Sequence, residues 1–229
     1  MTEVPAHAPL GELAVVIPVA ADDPAWPGLI EELAALPVGA EILVAGATPP
    51  PPGVPARLRW LTAPPGRAQQ MNAGAHAASR PFLWFLHADS RLTPGALDAL
   101  GRSITAAPDA LHYFDLAFLD DGPPLMPLNQ WGARMRSRWG GMPFGDQGFC
   151  LRRETWEALG GFRTDVAYGE DHLLVWKARH MGVPLRPVGA MLLTSARKYR
   201  ERGWLRTTAR HLGLTAVQAV PEWIRLVRG

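Results

Sequence analysis

Three short stretches of the chain hold residues whose types and spacing suit chemistry as well as packing. In "FLWFLHADS" (82–90) an unbroken apolar run stops at His87, Ala88 and Asp89. The plain reading is a polar residue opening a loop. The chemical reading is a carboxylate for a divalent cation, because hard cations take oxygen ligands and often keep only one or two protein groups beside substrate phosphates. In "GEDHLLVWKARHMG" (169–182), Glu170 and Asp171 occupy a first helical turn, where free N–H groups and the macrodipole favour acidic side chains. One of the pair is also suited to act as a general base. In "GRAQQMNAGA" (66–75), Ala68, Met71 and Ala75 form an apolar stripe and Gly74 permits close packing, which leaves Arg67 and Asn72 unexplained. An arginine opening a helix can meet a diphosphate.

The elements that must position these residues follow from periodicity. Short apolar runs at 13–19, 41–46, 57–63 and 81–88 alternate with helical patterns at 28–37, 66–79 and 93–104. Such alternation predicts a mainly parallel sheet flanked by helices. Thr93 reads as an N-cap with Pro94 at the first helical position, and "TPPPPGVPA" (48–56) as a surface loop. The second half predicts a strand over 110–121, a helix over 128–141, strand then helix over 145–162, and a helix over 169–182 closed by Gly182. A basic helical tail runs from Arg200 and is interrupted at Pro221. Ligands of open α/β sheets bind outside the carboxyl ends of the strands, which draws His87, Asp89, residues 19–23 and residues 45–48 to one side.

The bulk numbers narrow the classes. With 229 residues, 48% of them hydrophobic, the chain can build one sizeable core, and one domain over 10–229 is expected. A formal charge of +2 gives no reason to expect a nucleic-acid partner. That charge is uneven: residues 186–229 carry nine Arg/Lys and two Glu, and the first 185 residues are net acidic. Cys150 is the one cysteine, which excludes an internal disulfide. The opening residues lack the basic region of a secretory signal, and no run reaches membrane-spanning length. A cytoplasmic protein is expected. Its basic tail, with Trp204 and Trp223, suits peripheral contact with the inner face of a membrane as well as it suits an ordinary solvated helix.

The order of the motifs is more specific than any one of them. "VVIPV", "GRAQQMNAGA", "FLHADS", "FGDQGFCLRR", "GGF", "GED" and the late "TSARKYRERGWLRT" resemble the family 2 glycosyltransferases of GT-A fold, nearest to a bacterial subgroup called radical-SAM/selenodomain-associated glycosyltransferases. The resemblance covers roughly residues 13–212. It implies a single GT-A domain with a donor-binding half (13–105), an acceptor and catalytic half (106–195) and a basic C-terminal segment (196–229). The implied activity is metal-dependent, inverting transfer of a sugar from a nucleotide-sugar donor to a hydroxyl acceptor, one that a membrane-facing tail would allow to be lipid-linked.

The family's roles carry over residue by residue. Asp89 would hold Mg²⁺ or Mn²⁺ against the donor diphosphate, with His87 beside the ribose. Asp171 would be the general base, supported by Glu170. Pro18, Asp22, Arg67, Asn72, Gly74, Arg197 and Lys198 would serve the donor, and Gly145, Asp146 and Gln147 the acceptor. Two departures from the family stand out: Ala21 and Asp22 replace an Asn-Glu pair after the first strand, and Ala45 replaces an aspartate after the second. They motivate the alternative of a degenerate transferase that binds a nucleotide or partner without turnover. His76, His172, His180 and His211 show no metal-ligand spacing and receive no role.

Overall fold

Leu13–Val19 (β1) is buried along its whole length because it forms the middle of a sheet covered on both faces. The computed structural model describes residues 8–21 and 23–228. Strands β2 (Glu41–Gly46) and β4 (Phe82–Phe85) flank β1 in parallel, and β3 (Leu58–Thr62) lies parallel outside β2. Successive residues of β1 point to opposite faces. Leu13, Val15 and Ile17 pack with Leu29 and Leu33 of helix α1 (Trp26–Leu33) and Leu100 of helix α3 (Ala96–Ala106). Ala14 and Val16 pack with Met71 and Ala75 of helix α2 (Arg67–Ala77). A Cβ on Gly74 would stand 2.3 Å from Val16 Cγ1, so only glycine lets α2 approach β1 this closely.

Beyond β4 the sheet changes character. Strand β7 (Cys150–Arg152) runs antiparallel to β4, and β6 (Leu111–Phe118) antiparallel to β7. Strand β8 (Leu185–Thr194) is parallel to β6, and the two-residue β5 (Arg91–Leu92) is antiparallel to β8. The order is β3-β2-β1-β4-β7-β6-β8-β5. The sheet of this α/β domain is therefore mixed, not mainly parallel as expected. Hydrophobic pattern records which residues are buried but not strand direction. β8 escaped the sequence reading because Arg186, Pro187 and Gly189 interrupt its apolar pattern.

Three helices complete the second half: α4 (Met126–Arg138), α5 (Arg153–Ala158) and α6 (Glu170–His180). Two helix boundaries differ from expectation. Helix α3 begins after Gly95, at φ 76°, while Thr93 Oγ1 donates to the Met191 carbonyl of β8 at 2.7 Å. Thr93 thus ties β8 down instead of capping the helix. The tail breaks at Gly203, φ 83°, between α7 (Arg197–Arg202) and α8 (Trp204–Arg228). Helix α8 continues through Pro221, which costs one i→i−4 bond without ending the helix. Asp22 lies outside the described residues, as do the side chains of Trp223, Arg225 and Arg228.

Candidate active site

A cleft of about 310 Å³ opens where β4 ends, and five separated segments meet in it. His87 and Asp89 enter from the end of β4, Arg67 from the first turn of α2, Asp146 from a turn at Gly145–Gln147, Asp171 from the first turn of α6, and Lys198 from α7. Asp89 Oδ2 accepts a hydrogen bond from Thr194 Oγ1 at 3.3 Å. Among the described residues no group of three or more His, Cys, Asp or Glu side chains is gathered to hold a metal ion. One carboxylate facing a cleft that also holds Arg67 and Lys198 fits the other mode, in which a hard cation shares its coordination with substrate phosphates.

The acidic pair of α6 is held differently from Asp89. Glu170 forms a short ion pair with Arg67 Nε and is almost fully buried. Asp171 accepts N–H bonds on both oxygens, from Gly145 at 2.6 Å and from His172 at 2.9 Å, with Arg67 Nη2 at 3.9 Å. Burial works against its charge, but Arg67 and the two N–H groups together hold Asp171 below the usual carboxylate range. Each oxygen keeps a second lone pair. A Cβ on Gly145 would stand 2.8 Å from Asp171 Oδ2, so that glycine serves through its N–H and its small size.

Asp146 behaves in the opposite way. Its Oδ1 is buried and accepts no hydrogen bond. Burial raises its pKa to about 6, with Arg136 opposing and Asp171 adding to the rise. His87, with burial and then Arg67 acting against its charge, is depressed to about 3 and is a neutral imidazole at physiological pH.

Other expected site residues lie elsewhere. Asn72 spends its amide on the backbone of Phe162, donating to the carbonyl at 2.8 Å and accepting from the N–H at 2.9 Å, so it braces the "GGF" turn. Gly74 is a packing residue against Val16. Gln147 is fully buried, donating to the Phe114 carbonyl at 2.7 Å and accepting from the Phe144 N–H at 3.1 Å. Pro18 is interior to β1, opposite Ala45. Arg197 is exposed and pairs with Glu201 at 3.6 Å.

The sequence reading missed the wall that α8 and its neighbours supply. Tyr199, His211, Thr215 and Gln218 line the cleft, as does His172. His172 Nε2 accepts from Trp176 Nε1 at 3.1 Å, which places its proton on Nδ1, 3.1 Å from Gln218 Oε1. Gln218 in turn donates to the Tyr168 carbonyl at 2.8 Å. The signal was present as spacing: 211, 215 and 218 stand at i, i+4 and i+7, a polar stripe on one helix face.

A second cavity, about 240 Å³, opens at the carboxyl ends of β1, β2 and β3. Trp26 and Trp60 meet edge to face in its wall, centroids 5.6 Å apart. Trp60 donates to the Thr48 carbonyl at 2.9 Å and lies so close to Gly46 that a Cβ there would meet its ring at 2.8 Å. Ala45, where the family aspartate was expected, is an interior residue of β2 with no exposure.

This fold is that of known sugar transferases. The chain superimposes on the mannosyltransferase PcManGT from Pyrobaculum calidifontis, solved with GDP-Man and Mn²⁺, with a TM-score of 0.67 and 19% identity over 92% of this chain and 64% of that one. Residues 1–349 of TarS from S. aureus, solved with UDP-GlcNAc, give a TM-score of 0.62 and 14% identity over 80% of this chain and 58% of that one. In both cases the chain spans less than two thirds of the neighbour's length. No protein-family model matches the chain, and no curated protein matches it in sequence.

Proposed function

We propose that the protein is a metal-dependent, inverting glycosyltransferase that moves a sugar from a nucleotide donor to a hydroxyl acceptor. The observation that carries this reading is the convergence of Asp89, Arg67, Asp171 and Lys198 in one cleft at the end of β4. The fold shared with two nucleotide-sugar-bound transferases supports it. Asp89 would hold Mg²⁺ or Mn²⁺, whose charge offsets that developing on the departing diphosphate. Arg67 and Lys198 face the same diphosphate, and the cavity lined by Trp26 and Trp60 receives the nucleoside. Asp171, ionised at neutral pH, takes the proton of the attacking hydroxyl, which displaces the diphosphate from the opposite side of the sugar. Its two backbone bonds fix its direction, and Glu170 fixes Arg67 beside it. Asp146 lines the same cleft and its carboxylate would accept a hydrogen bond from an acceptor hydroxyl. A lipid-linked acceptor is consistent with the basic tail.

The test is hydrolysis and transfer across a panel of nucleotide sugars, with and without Mn²⁺, beside thermal shifts with the same ligands. The expected result is Mn²⁺-dependent turnover of at least one donor that disappears in Asp89→Ala. Nucleotide binding with no turnover of any donor would establish the alternative, a degenerate transferase.

A further inference from the structure

The inward face of α8 lines the cleft; its outward face has no partner among the described residues. Leu205, Leu212, Val217, Val220 and Ile224 are exposed along it, Leu205 by 73% and Leu212 by 66%. Positions 205 and 212 fall on one line of the helix, 220 lies roughly 60–80° round from it, and 217 and 224 follow at about 100–140°, beside Arg206 and Arg210. Side chains of this size burn free energy in water, and soluble chains rarely leave them in a row without use. Helix α4 runs beside α8. Asn129 of α4 donates to Thr208 Oγ1 at 3.1 Å and accepts from Trp204 Nε1 at 2.5 Å, so the two helices adjoin. Leu128 and Trp131, on other sides of α4 than Asn129, are also exposed, Trp131 by 65%.

Charge says what covers this face. Arg206 and Arg210 are exposed along the apolar face, and Arg200 and Arg202 of α7 are exposed just before it. No Asp or Glu occurs from residue 203 to residue 221. Apolar and aromatic side chains bordered by arginines, which outnumber the flanking Glu201 and Glu222, match the boundary of an anionic bilayer: the apolar row enters the acyl region and the cations meet phosphate headgroups. Exposed tryptophan is the residue most at home at that depth. Among the described residues no helix is long and apolar enough to cross a membrane, so this one would lie on the surface. A second copy of the chain is a poorer occupant, since two-fold pairing of this face would set arginines against arginines.

We propose that the outward face of α8 docks the protein on an anionic lipid surface. The inward face of the same helix then holds the cleft against that surface. The proposal does not depend on the sugar-transfer reading, and its test uses no donor.

The whole chain is sedimented with phosphatidylcholine vesicles, with and without a large fraction of phosphatidylglycerol, at low and high salt. Binding is expected to be roughly tenfold or more tighter with phosphatidylglycerol and to weaken with salt. Leu212→Glu/Val220→Glu should lose at least about tenfold of that binding, and Arg206→Glu/Arg210→Glu should lose its salt-sensitive part. Both variants are checked for an unchanged thermal midpoint, and the second remains informative if the first does not fold. The proposal is overturned if the wild type ignores anionic vesicles, or if folded variants of both kinds bind them as well as wild type. It is also overturned if the wild type ignores vesicles and forms a dimer by light scattering that Leu212→Glu/Val220→Glu dissociates, which would make the face a contact between copies.

Discussion

The two cavities at the carboxyl ends of the strands differ in kind. The one beside β1, β2 and β3 is walled by Trp26, Trp60 and prolines, and its one carboxylate among the described residues, Asp23, is occupied locally by the Ala25 N–H at 2.9 Å. The one at the end of β4 holds Arg67, His87, Asp89, Asp146, Asp171 and Lys198. Flat uncharged walls give affinity for a ring system by stacking and exclusion of water. Opposed charges in a partly dehydrated cleft act where charge develops and protons move. The division also follows the chain: the first cavity is built from residues 19–60, all near in sequence, whereas the second draws on residues from 67 to 218. Recognition of the nucleoside is assigned to the regular half of the sheet, and the diphosphate, the acceptor and the chemistry to the place where the sheet turns irregular.

The sharpest way to break that division is Asp171→Asn. If chemistry belongs to the charged cleft alone, kcat falls by about 10²–10⁴, the usual worth of a general base, while the affinity for nucleoside diphosphate stays near wild type. An equal fall in affinity would show that Asp171 itself serves donor binding as well as chemistry. Asn72→Ala probes a residue assigned to neither cavity. It removes both bonds to Phe162 and is expected to cost about 1–3 kcal/mol of stability, seen as a drop of roughly 2–4 °C in thermal midpoint for each kcal/mol, with kcat/KM retained at temperatures where the protein is folded.

How much of this was legible in the sequence depends on how local the cause is. β1, β2 and β4 were readable because burial on both faces leaves continuous apolar runs, and Gly160, Gly161 and Gly182 close helices by local backbone geometry. Strand direction beyond β4 was not readable, since β7 is three residues long and pairs with β6 at the single register His112–Cys150. Arg67, His87, Asp89, Asp146 and Asp171 were found through motif order and do converge. Asn72, Gly74 and Gln147 belong to the same motifs but hold backbone or packing in place, and a motif cannot distinguish a residue that touches ligand from one that positions its neighbours. The polar spacing of His211, Thr215 and Gln218 does not say that this face of the helix turns to the cleft, because tertiary packing sets which face a helix presents.

Trp60→Ala tests the other cavity. Loss of one stacking ring is expected to weaken nucleotide binding about tenfold, within the ~1–3 kcal/mol typical of base–aromatic stacking, with kcat at saturating donor unchanged. A fall in kcat with unaltered affinity would reverse the roles assigned to the two cavities.

The smallest effect separates the two buried carboxylates within the charged cleft. Asp171 is held below the usual carboxylate range, so kcat has no limb from it near neutrality. Asp146 titrates near 6, and protonation removes the charge of the oxygen proposed to accept the acceptor hydroxyl. As pH falls through about 6, the acceptor KM is therefore expected to rise several-fold while kcat holds to lower pH, and Asp146→Asn should flatten the KM limb alone. Stability carries the same signature with its own sign. A carboxyl group whose pKa is raised by folding binds more protons folded than unfolded between about pH 4 and its folded pKa, so its contribution is full at the acid end and is lost as pH rises through about 6. Denaturation midpoints across that window should fall less steeply in Asp146→Asn than in the wild type. A kcat limb near 6 that vanishes in the same variant would instead make Asp146 the base, and Asp171 the residue that orients it through the Gly145 N–H.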